Sequence, residues 1–340
     1  MIKAVVWDLD RTLLDGVMLE SVATPTKKDG VDDIIARLHE RGIVNSIASR
    51  NPTETAEAAV ASLEWPAPFI APQYGWGDKS ESLKRIASHL DIELAALAFV
   101  DDDPYERAEV AAHAPQVLVL SPEDVAGALD WPQFSPRTVT AEARGRAQSY
   151  LDIQERERAA REFTGTRADF QRYCGTRITI RRAGQRDVAR FSELSLRTTQ
   201  FNSRGMGLSE SDVAEGINTD DRLFVCIELG DRFGDDGVIG GIAVTTCESR
   251  WRADLVMMSC RAMGRGVIEA ALTWLAGAAR DSGAGEVIIP LRPNERNVPL
   301  RLALVADGYR AHKPADGVAD FARRLGEDEG ELDEWVKVDT

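Results

Sequence analysis

The sequence has few cysteines and no long apolar run, and both scarcities narrow the kinds of protein it can encode. Four cysteines occur in 340 residues. They form no C-x-x-C pair and no cluster with histidine, so we expect neither a zinc site nor a disulfide framework. No apolar stretch approaches a membrane span, and the N-terminus runs straight into a predicted strand instead of a signal peptide. We therefore expect a cytoplasmic protein without a membrane partner.

Basic residues are in the minority as well. The 41 lysines and arginines are outnumbered by 56 acids, which gives a formal net charge of −15. Such a charge argues against a nucleic-acid partner. The length exceeds the size at which a single hydrophobic core usually keeps growing, so two domains are expected.

The most informative segment is the first dozen residues. An apolar run over residues 4–7 ends in Asp8 and Asp10, and Thr12 follows. Side chains two positions apart in a strand point to the same side, and open α/β sheets carry their chemistry at the carboxyl ends of strands. Two carboxylates held there repel each other unless they share a proton or a hard cation such as Mg²⁺. Asp8 is then a candidate nucleophile and Asp10 an acid/base partner, the alternative being a solvated pair.

Three further predicted elements supply the remaining parts of a phosphoryl-transfer site. Ser49 ends a second apolar strand, Lys79 stands at the start of a helix, and a third strand runs into Asp101 and Asp102. A hydroxyl and an ammonium can bind phosphoryl oxygens, and carboxylates can hold the metal ion. The four elements in this order are far more specific than any one of them alone.

This ordered set resembles the haloacid dehalogenase superfamily of phosphatases. The resemblance implies that Asp8 accepts the phosphoryl group, that Asp10 is the general acid/base, and that Ser49 and Lys79 hold the phosphate. It also implies a Mg²⁺ site, to which we assigned Asp8, Asp10, Asp101 and Asp102. The gaps from Thr12 to Ser49 and from Ser49 to Lys79 are too short for an inserted cap domain, so we expect a capless, doubly wound parallel sheet and an open site.

Composition indicates where the first domain ends. We expect a phosphatase domain over residues 1–130, a proline-rich linker and long helix over 131–175, a second α/β domain over 176–325, and a solvated acidic tail over 326–340. The long helix is predicted over residues 140–163. Arginines are dense between residues 141 and 190, which predicts either a helix stabilised by its own ion pairs or a docking surface for an acidic partner.

The second domain contains a strand, a glycine-rich loop and a helix in succession. The loop runs from Cys260 through R-x-x-G-x-G, formed by Arg261, Gly264, Arg265 and Gly266. Such a loop places backbone N–H groups and a helix N-terminus around an anion. Its spacing resembles the pyrophosphate loop of GNAT acyltransferases. Cys260 itself has two interpretations: a buried apolar residue, or a thiolate favoured by the loop.

The two halves together resemble the FkbH-like proteins of polyketide biosynthesis, over nearly the whole chain. The matching stretches are residues 6–10, 100–107, 199–202, 231–235 and 258–261. The resemblance implies that a glyceryl unit passes from 1,3-bisphosphoglycerate to the phosphopantetheine arm of an acyl carrier protein. It further implies that Cys260 carries the thioester and that Gln200, Asn202 and Asn297 line the acyl site. Arg11 and Asp103 stand where the family usually has Asn.

Two other functions remain open at this point. The chain could load a different small acyl unit, or transfer acetyl from coenzyme A, beside the phosphatase. It could also be a non-catalytic scaffold that binds carrier proteins. Dependence on coenzyme A would distinguish the alternative acyltransferase from the glyceryl transferase. The presence of all four phosphatase motifs argues against a non-catalytic scaffold.

Overall fold

The chain folds as two compact units, Met1–Leu151 and Asp152–Thr340. The computed structural model describes residues 1–18, 25–135, 139–198, 200–205, 207–312, 317–326 and 331–339. Residue 199, residues 136–138 of the expected linker and residues 327–330 of the expected tail lie outside these ranges. The division falls inside the segment predicted to be a linker and long helix.

The first unit alternates strands with helices. Its strands are β1 (Ala4–Trp7), β2 (Val44–Ser49), β3 (Gln73–Tyr74), β4 (Leu97–Val100) and β5 (Leu118–Leu120). Its helices are α1 (Val31–Glu40), α2 (Thr53–Ala61), α3 (Lys79–His89), α4 (Pro104–His113), α5 (Val125–Ala128) and α6 (Ala141–Arg144), and α7 (Arg146–Glu162) spans the division between the units.

The five strands form one parallel sheet in the order β3-β2-β1-β4-β5. Every residue of β1, β2 and β4 is buried, as expected for parallel strands covered on both faces. The strand order reverses beside β1, and in doubly wound sheets ligands bind at the strand carboxyl ends at such a point.

No separate domain interrupts this unit in the part of the chain that the structure describes. Between β1 and β2 the regular elements are isolated bridges near Leu14 and the helix α1, and only α2 and β3 lie between β2 and α3. The expected fold, a capless doubly wound parallel sheet followed by a second α/β domain, is confirmed.

The second unit is built on a mixed sheet. Its strands are β6 (Arg177–Arg182), β7 (Phe201–Asn202), β8 (Arg222–Gly230), β9 (Asp235–Cys247), β10 (Arg250–Met258), β11 (Glu286–Leu291), β12 (Arg310–Ala311), β13 (Ala319–Arg324) and β14 (Val336–Asp339). Its helices are α8 (Arg167–Cys174), α9 (Val188–Arg197), α10 (Glu210–Ile217), α11 (Val267–Asp281) and α12 (Val298–Ala306).

The central strands β10 and β11 separate along their length. They are parallel neighbours, but only Trp251 and Arg252 of β10 pair with β11. Further along, Met257 and Met258 pair with the short strand β7 instead. One face of the sheet packs with α11 and the other with α9 and α10. The carboxyl end of β10 is therefore freed from β11 where it enters the glycine-rich loop.

Two local predictions need correction. The helix predicted over residues 140–163 is two helices, α6 and α7, with Gly145 between them, because glycine is a poor helix former. The tail is not wholly solvated, since β14 pairs in parallel with β6. Alternation of Val336 and Val338 with charged residues suits an edge strand with one face on the core.

Candidate functional site

The parallel register of the first sheet collects the acids and the hydroxyl selected from the sequence. β1 ends one residue before Asp8, β4 ends one residue before Asp101, and β2 ends at Ser49. Paired parallel strands end at the same edge of a sheet, so these three side chains meet there. They line a cavity of about 520 Å³ together with Asp10, Lys79 and Asp102.

Lys79 is a buried cation of this cavity, which Arg11 and Arg50 also line. It is the first residue of α3 and its side chain is 3% exposed. The Nζ atom donates a hydrogen bond to Asp8 Oδ1 and lies 3.2 Å from Asp101 Oδ2. Burial disfavours the ammonium, but the charges of Asp8 and Asp101 outweigh burial, so the pKa of Lys79 is raised above its ordinary value. The ammonium therefore stays charged where it can bind a phosphoryl oxygen.

Three carboxylates converge beside this ammonium. Ligand oxygens of Asp8, Asp101 and Asp102 lie within 4.8 Å of one another. Burial raises the pKa of Asp8 to about 7; Lys79 opposes this rise and Asp101 adds to it. Burial and the neighbouring Asp101 also raise the pKa of Asp102. Asp101 Oδ2 is buried without a hydrogen-bond partner. One ammonium does not balance three carboxylates, so the cluster fits a hard divalent cation.

The Asp10 carboxylate lies outside this group of ligand atoms. Its Oδ2 accepts a hydrogen bond from Asn51 Nδ2 at 2.9 Å, and its Oδ1 accepts one from the backbone N–H of Met18 at 3.0 Å. The structure thus gathers three of the four carboxylates that we assigned to Mg²⁺, and it holds the fourth apart. This placement suits an acid/base more than a side-chain metal ligand.

Two supporting residues escaped the sequence analysis. Asn51 contacts both Asp10 and Ser49, because its Nδ2 also lies 3.0 Å from Ser49 Oγ. Arg107 Nη1 donates to the backbone carbonyls of Asp101 and Asp102, at 2.6 and 2.8 Å. The position of Asn51, two residues after Ser49, could have indicated that its side chain lies beside the Ser49 hydroxyl. Thr12 supports the same edge of the sheet, because its Oγ1 accepts a hydrogen bond from the Asp102 N–H at 3.1 Å.

Arg11 lies in the same loop and has an unusual backbone. Its φ is +55°, in the left-handed region that costs free energy for residues with a Cβ. Asparagine tolerates this conformation better than arginine does. The preference for Asn in the resembling family therefore has a conformational reason at this position. The Arg11 side chain is exposed and lines the cavity.

The second set of candidates surrounds the loop after β10. Cys260 is half-buried and begins a single turn of 3₁₀ helix, Cys260–Ala262. Gly264 and Gly266 have φ of +71° and +80°, and α11 begins directly after Gly266. Both glycines occupy a conformation that side chains rarely adopt. Only six residues therefore separate Cys260 from the first residue of the 15-residue helix α11.

The loop arginines are engaged with acids of the hairpin between β8 and β9. Arg265 is 4% exposed and donates to Asp236 at 2.5 Å and to Asp231 at 2.8 Å. Arg261 Nη1 lies 3.8 Å from Asp236, and Arg156 Nε lies 3.1 Å from Asp231. Anion binding by this loop would therefore fall to its backbone N–H groups. Asp231, which lies in the 231–235 stretch, is part of this buried network.

The amide side chains expected at the acyl site are bonded to backbone. Asn202 is 1% exposed; its Nδ2 donates to Ser195 O, and its Oδ1 accepts from the N–H of Arg204. Asn297 is fully buried and donates to Arg292 O while accepting from the Asn294 N–H. Both residues hold loops in place. Gln200 is half-buried.

No protein-family model and no curated protein matches the chain. It is similar to the N-terminal part of BF1531 from Bacteroides fragilis, a phosphatase domain complexed with Mg, at 22% identity over 44% of this chain and 39% of that one, with a TM-score of 0.32. It is also similar to the GNAT domain of PAT from S. lividans, at 18% identity over 43% of this chain and 89% of that one, with a TM-score of 0.36.

A third similar structure is a GNAT phosphinothricin acetyltransferase from Sinorhizobium meliloti in complex with AcCoA. The identity is 19%, the coverage is 46% of this chain and 94% of that one, and the TM-score is 0.35. Each likeness is confined to less than half of this chain. Across its described residues, the chain contains no helix with the length and apolar character needed to cross a membrane.

Proposed function

We propose that this chain is a bifunctional enzyme in which the first unit is a Mg²⁺-dependent phosphatase and the second an acyltransferase. The observation that carries the proposal is the cluster of Asp8, Asp101, Asp102 and Lys79 at the carboxyl edge of the parallel sheet. A buried cluster with perturbed pKa values in a cavity is characteristic of a catalytic centre.

The donor set fits Mg²⁺ by its chemistry. Asp8, Asp101 and Asp102 offer only carboxylate oxygens, which this cation prefers, and the buried Asp101 Oδ2 has the Lys79 ammonium 3.2 Å away but accepts no aligned hydrogen bond. A bound Mg²⁺ would neutralise the carboxylates and polarise the phosphoryl oxygens. Lys79 would bind a further phosphoryl oxygen, and Ser49 would donate its hydroxyl to another.

Asp8 and Asp10 divide the chemical steps. An Asp8 carboxylate oxygen attacks phosphorus and forms a P–O bond, while the ester P–O bond breaks and its electron pair leaves with the alkoxide. Asp10, held by Asn51, donates the proton that the alkoxide takes up. The same Asp10 then removes a proton from water, whose oxygen attacks the phosphorus on Asp8. The P–O bond to Asp8 breaks, phosphate is released and the Asp8 carboxylate is regenerated.

For the second unit we propose that Cys260 carries a glyceryl unit from 1,3-bisphosphoglycerate. Its thiolate attacks the carbonyl carbon, the C–S bond forms, and the C–O bond to phosphate breaks with release of phosphate. The pantetheine thiol of an acyl carrier protein then takes the acyl group, and its proton passes to the leaving sulfur. Support comes from the half-buried Cys260 directly before the loop of Gly264 and Gly266.

The docking surface of the carrier protein is proposed on the exposed arginines of α7. Arg158 and Arg161 are exposed, whereas Arg156 is not available for docking. The Arg156 side chain is 14% exposed, pairs with Asp231 and lies over the Phe170 ring. An acidic partner would meet Arg158 and Arg161 by long-range attraction.

Mass spectrometry of the full chain tests both activities. With Mg²⁺ and 1,3-bisphosphoglycerate we expect release of ester phosphate and a glyceryl or phosphoglyceryl adduct that peptide mapping places on Cys260. Loss of the adduct on adding a carrier protein with its pantetheine arm completes the cycle. Acetyl transfer from coenzyme A without any adduct would instead support the alternative acyltransferase. Absence of phosphate release and of every acyl transfer would support the scaffold.

A further inference from the structure

A second cavity, of about 650 Å³, lies in the second unit on the sheet face that packs with α9 and α10. It is lined by four arginines and two aspartates, namely Arg204, Arg222, Arg252, Arg292, Asp212 and Asp254. Cys260 is not among its lining residues. A cavity with a surplus of arginine stands out in a chain whose formal net charge is −15.

Strand register places two of these arginines at one end. Arg222 of β8 and Arg252 of β10 both pair with Thr245 of the intervening strand β9. Directly paired residues on neighbouring strands project from the same face of a sheet. Neighbouring strands are about 4.8 Å apart, so the two arginines flank Thr245 within reach of one bound group.

The other two arginines lie together at the opposite end. The Ser203 N–H donates to Val256 O, and the Arg292 N–H donates to Ser203 O. Arg292 and Arg204 are thus held beside the same residue. Val256 is four residues along β10 from Arg252, which is about 13 Å in an extended strand. The cavity therefore has a pair of guanidinium groups at each end.

The acids around the cavity neutralise one arginine of the four, because Arg252 also pairs with Asp320 at 3.5 Å. Asp254 accepts from Thr245 Oγ1 at 2.6 Å and from Arg252 Nε at 3.1 Å. Asp212 is bonded to Ser209 in the capping box of α10. Within the described residues, the side chains of Arg204, Arg222 and Arg292 form no ion pair within 4.0 Å and no hydrogen bond. Three guanidinium groups are left to bind something else.

We propose that this cavity binds a small molecule with an anionic group, phosphate or carboxylate, at each end. Guanidinium groups recognise both anions through paired hydrogen bonds. Small molecules bind in concave sites of this size, so we expect a small ligand here and not a protein partner with a flat surface. Cys260 does not line the cavity, so the proposal does not rest on a thioester at that residue. The 1,3-bisphosphoglycerate of the proposed function is one molecule of this class, and the site adds a ligand-binding region to the second unit beyond the carrier arm.

Hydrogen–deuterium exchange with titration of three probes tests this site in the full chain. The probes are 2,3-bisphosphoglycerate, the dicarboxylate glutarate and inorganic phosphate, with EDTA present so that no divalent cation supports binding in the first unit. We expect protection of peptides from β8 to β10 and around residues 203–205 and 292. A two-ended probe should bind about tenfold more tightly than inorganic phosphate, because it meets both arginine pairs. Tighter binding of 2,3-bisphosphoglycerate would identify phosphate as the preferred group, and tighter binding of glutarate would identify carboxylate.

Variants at the two ends provide the decisive comparison. Arg222→Gln and Arg292→Gln should each reduce the affinity for the two-ended probe to that for inorganic phosphate. Arg182→Gln is the matched control, since Arg182 is exposed on β6 and its register with Val225 places it on the other sheet face. If either variant melts early, the lysine substitution at that position replaces it and should retain partial affinity. Equal affinities for all three probes, equal losses in the Arg182→Gln control, or protection confined to other peptides would overturn the proposal.

Discussion

The side-chain amide of Asn51 donates a hydrogen bond to Asp10 at 2.9 Å. The same amide nitrogen lies 3.0 Å from Ser49 Oγ, so one residue at the end of β2 connects the proposed acid/base to the proposed phosphate-binding hydroxyl. Asn51 is 4% exposed. It is not one of the clustered carboxylates, and we interpret it as a positioning residue for Asp10.

Asn51→Ala tests this role. The variant should lower kcat for phosphate-ester hydrolysis about tenfold to a hundredfold, because Asp10 loses the contact that orients its proton transfer. KM and the concentration of Mg²⁺ needed for half-maximal activity should change little. Asn218→Ala, which removes an exposed helix-end amide in the second unit, is the control. A large rise in KM with kcat intact would show that Asn51 contacts substrate instead.

Asp8→Asn tests the nucleophile. The substitution keeps the size of the side chain but removes its nucleophilic oxygen, so Mg²⁺-dependent phosphate release should fall by several orders of magnitude. Circular dichroism should show an unchanged fold. Asp15→Asn alters an exposed acid of the same loop and should retain activity. Full activity in Asp8→Asn would remove this residue from the mechanism.

Arg11→Asn should stabilise the first unit. The left-handed backbone at φ +55° is less strained for Asn, so the free energy of unfolding should rise by about 0.5–1 kcal/mol. Urea denaturation measures this gain. Arg11→Ala removes the same charge but keeps a Cβ without the local hydrogen bonding of Asn, and it should show no gain. Equal stabilisation by both variants would mean that charge, not backbone strain, is responsible.

Three of the four cysteines should differ sharply in reactivity toward iodoacetamide. Hydrogen bonding to the backbone of Arg250 lowers the pKa of the exposed Cys247. Burial raises the pKa of Cys174, and that of Cys226 to about 12. Near neutral pH, Cys247 should therefore react before Cys174 and Cys226, which should need unfolding. Early labelling of Cys226, mapped by mass spectrometry, would contradict its burial.

The reactivity of the exposed Cys247 makes it the control residue for the acyl-transfer step. Cys260→Ser should abolish transfer of the glyceryl unit in a single-turnover assay, because a serine hydroxyl is not ionised at neutral pH. Cys247→Ser removes the competing exposed thiol and should transfer at the wild-type rate. If Cys260→Ser also transfers at that rate, the carrier thiol attacks the acyl phosphate directly.

Charge reversal on α7 tests the docking surface. Arg158→Glu with Arg161→Glu should weaken binding of the carrier protein, mainly through a slower association rate, and the effect should shrink as salt is added. Surface plasmon resonance at two ionic strengths measures both quantities. Arg186→Glu, on an exposed arginine outside α7, is the control. An unchanged association rate at low salt would place the docking surface elsewhere.

The first sheet and its acidic edge follow from local patterns in the sequence. Apolar runs that end in Asp8, Ser49 and Asp101 are local patterns that predict buried strands. When such strands pair in parallel, their carboxyl ends lie at the same edge of the sheet. The glycines at 264 and 266 were equally readable, since a left-handed backbone selects glycine wherever it occurs.

Which charged side chains are already paired with one another depends on the folded arrangement and not on local sequence. Arg265, a phosphate ligand by its motif, is bonded to two aspartates more than twenty residues earlier in the chain. Arg204, Arg222 and Arg292 carry no motif, yet the sheet assembles them around one cavity. Ion pairs between distant residues depend on strand register and loop packing. Motif spacing describes only residues that are close in sequence, so it cannot predict these distant ion pairs.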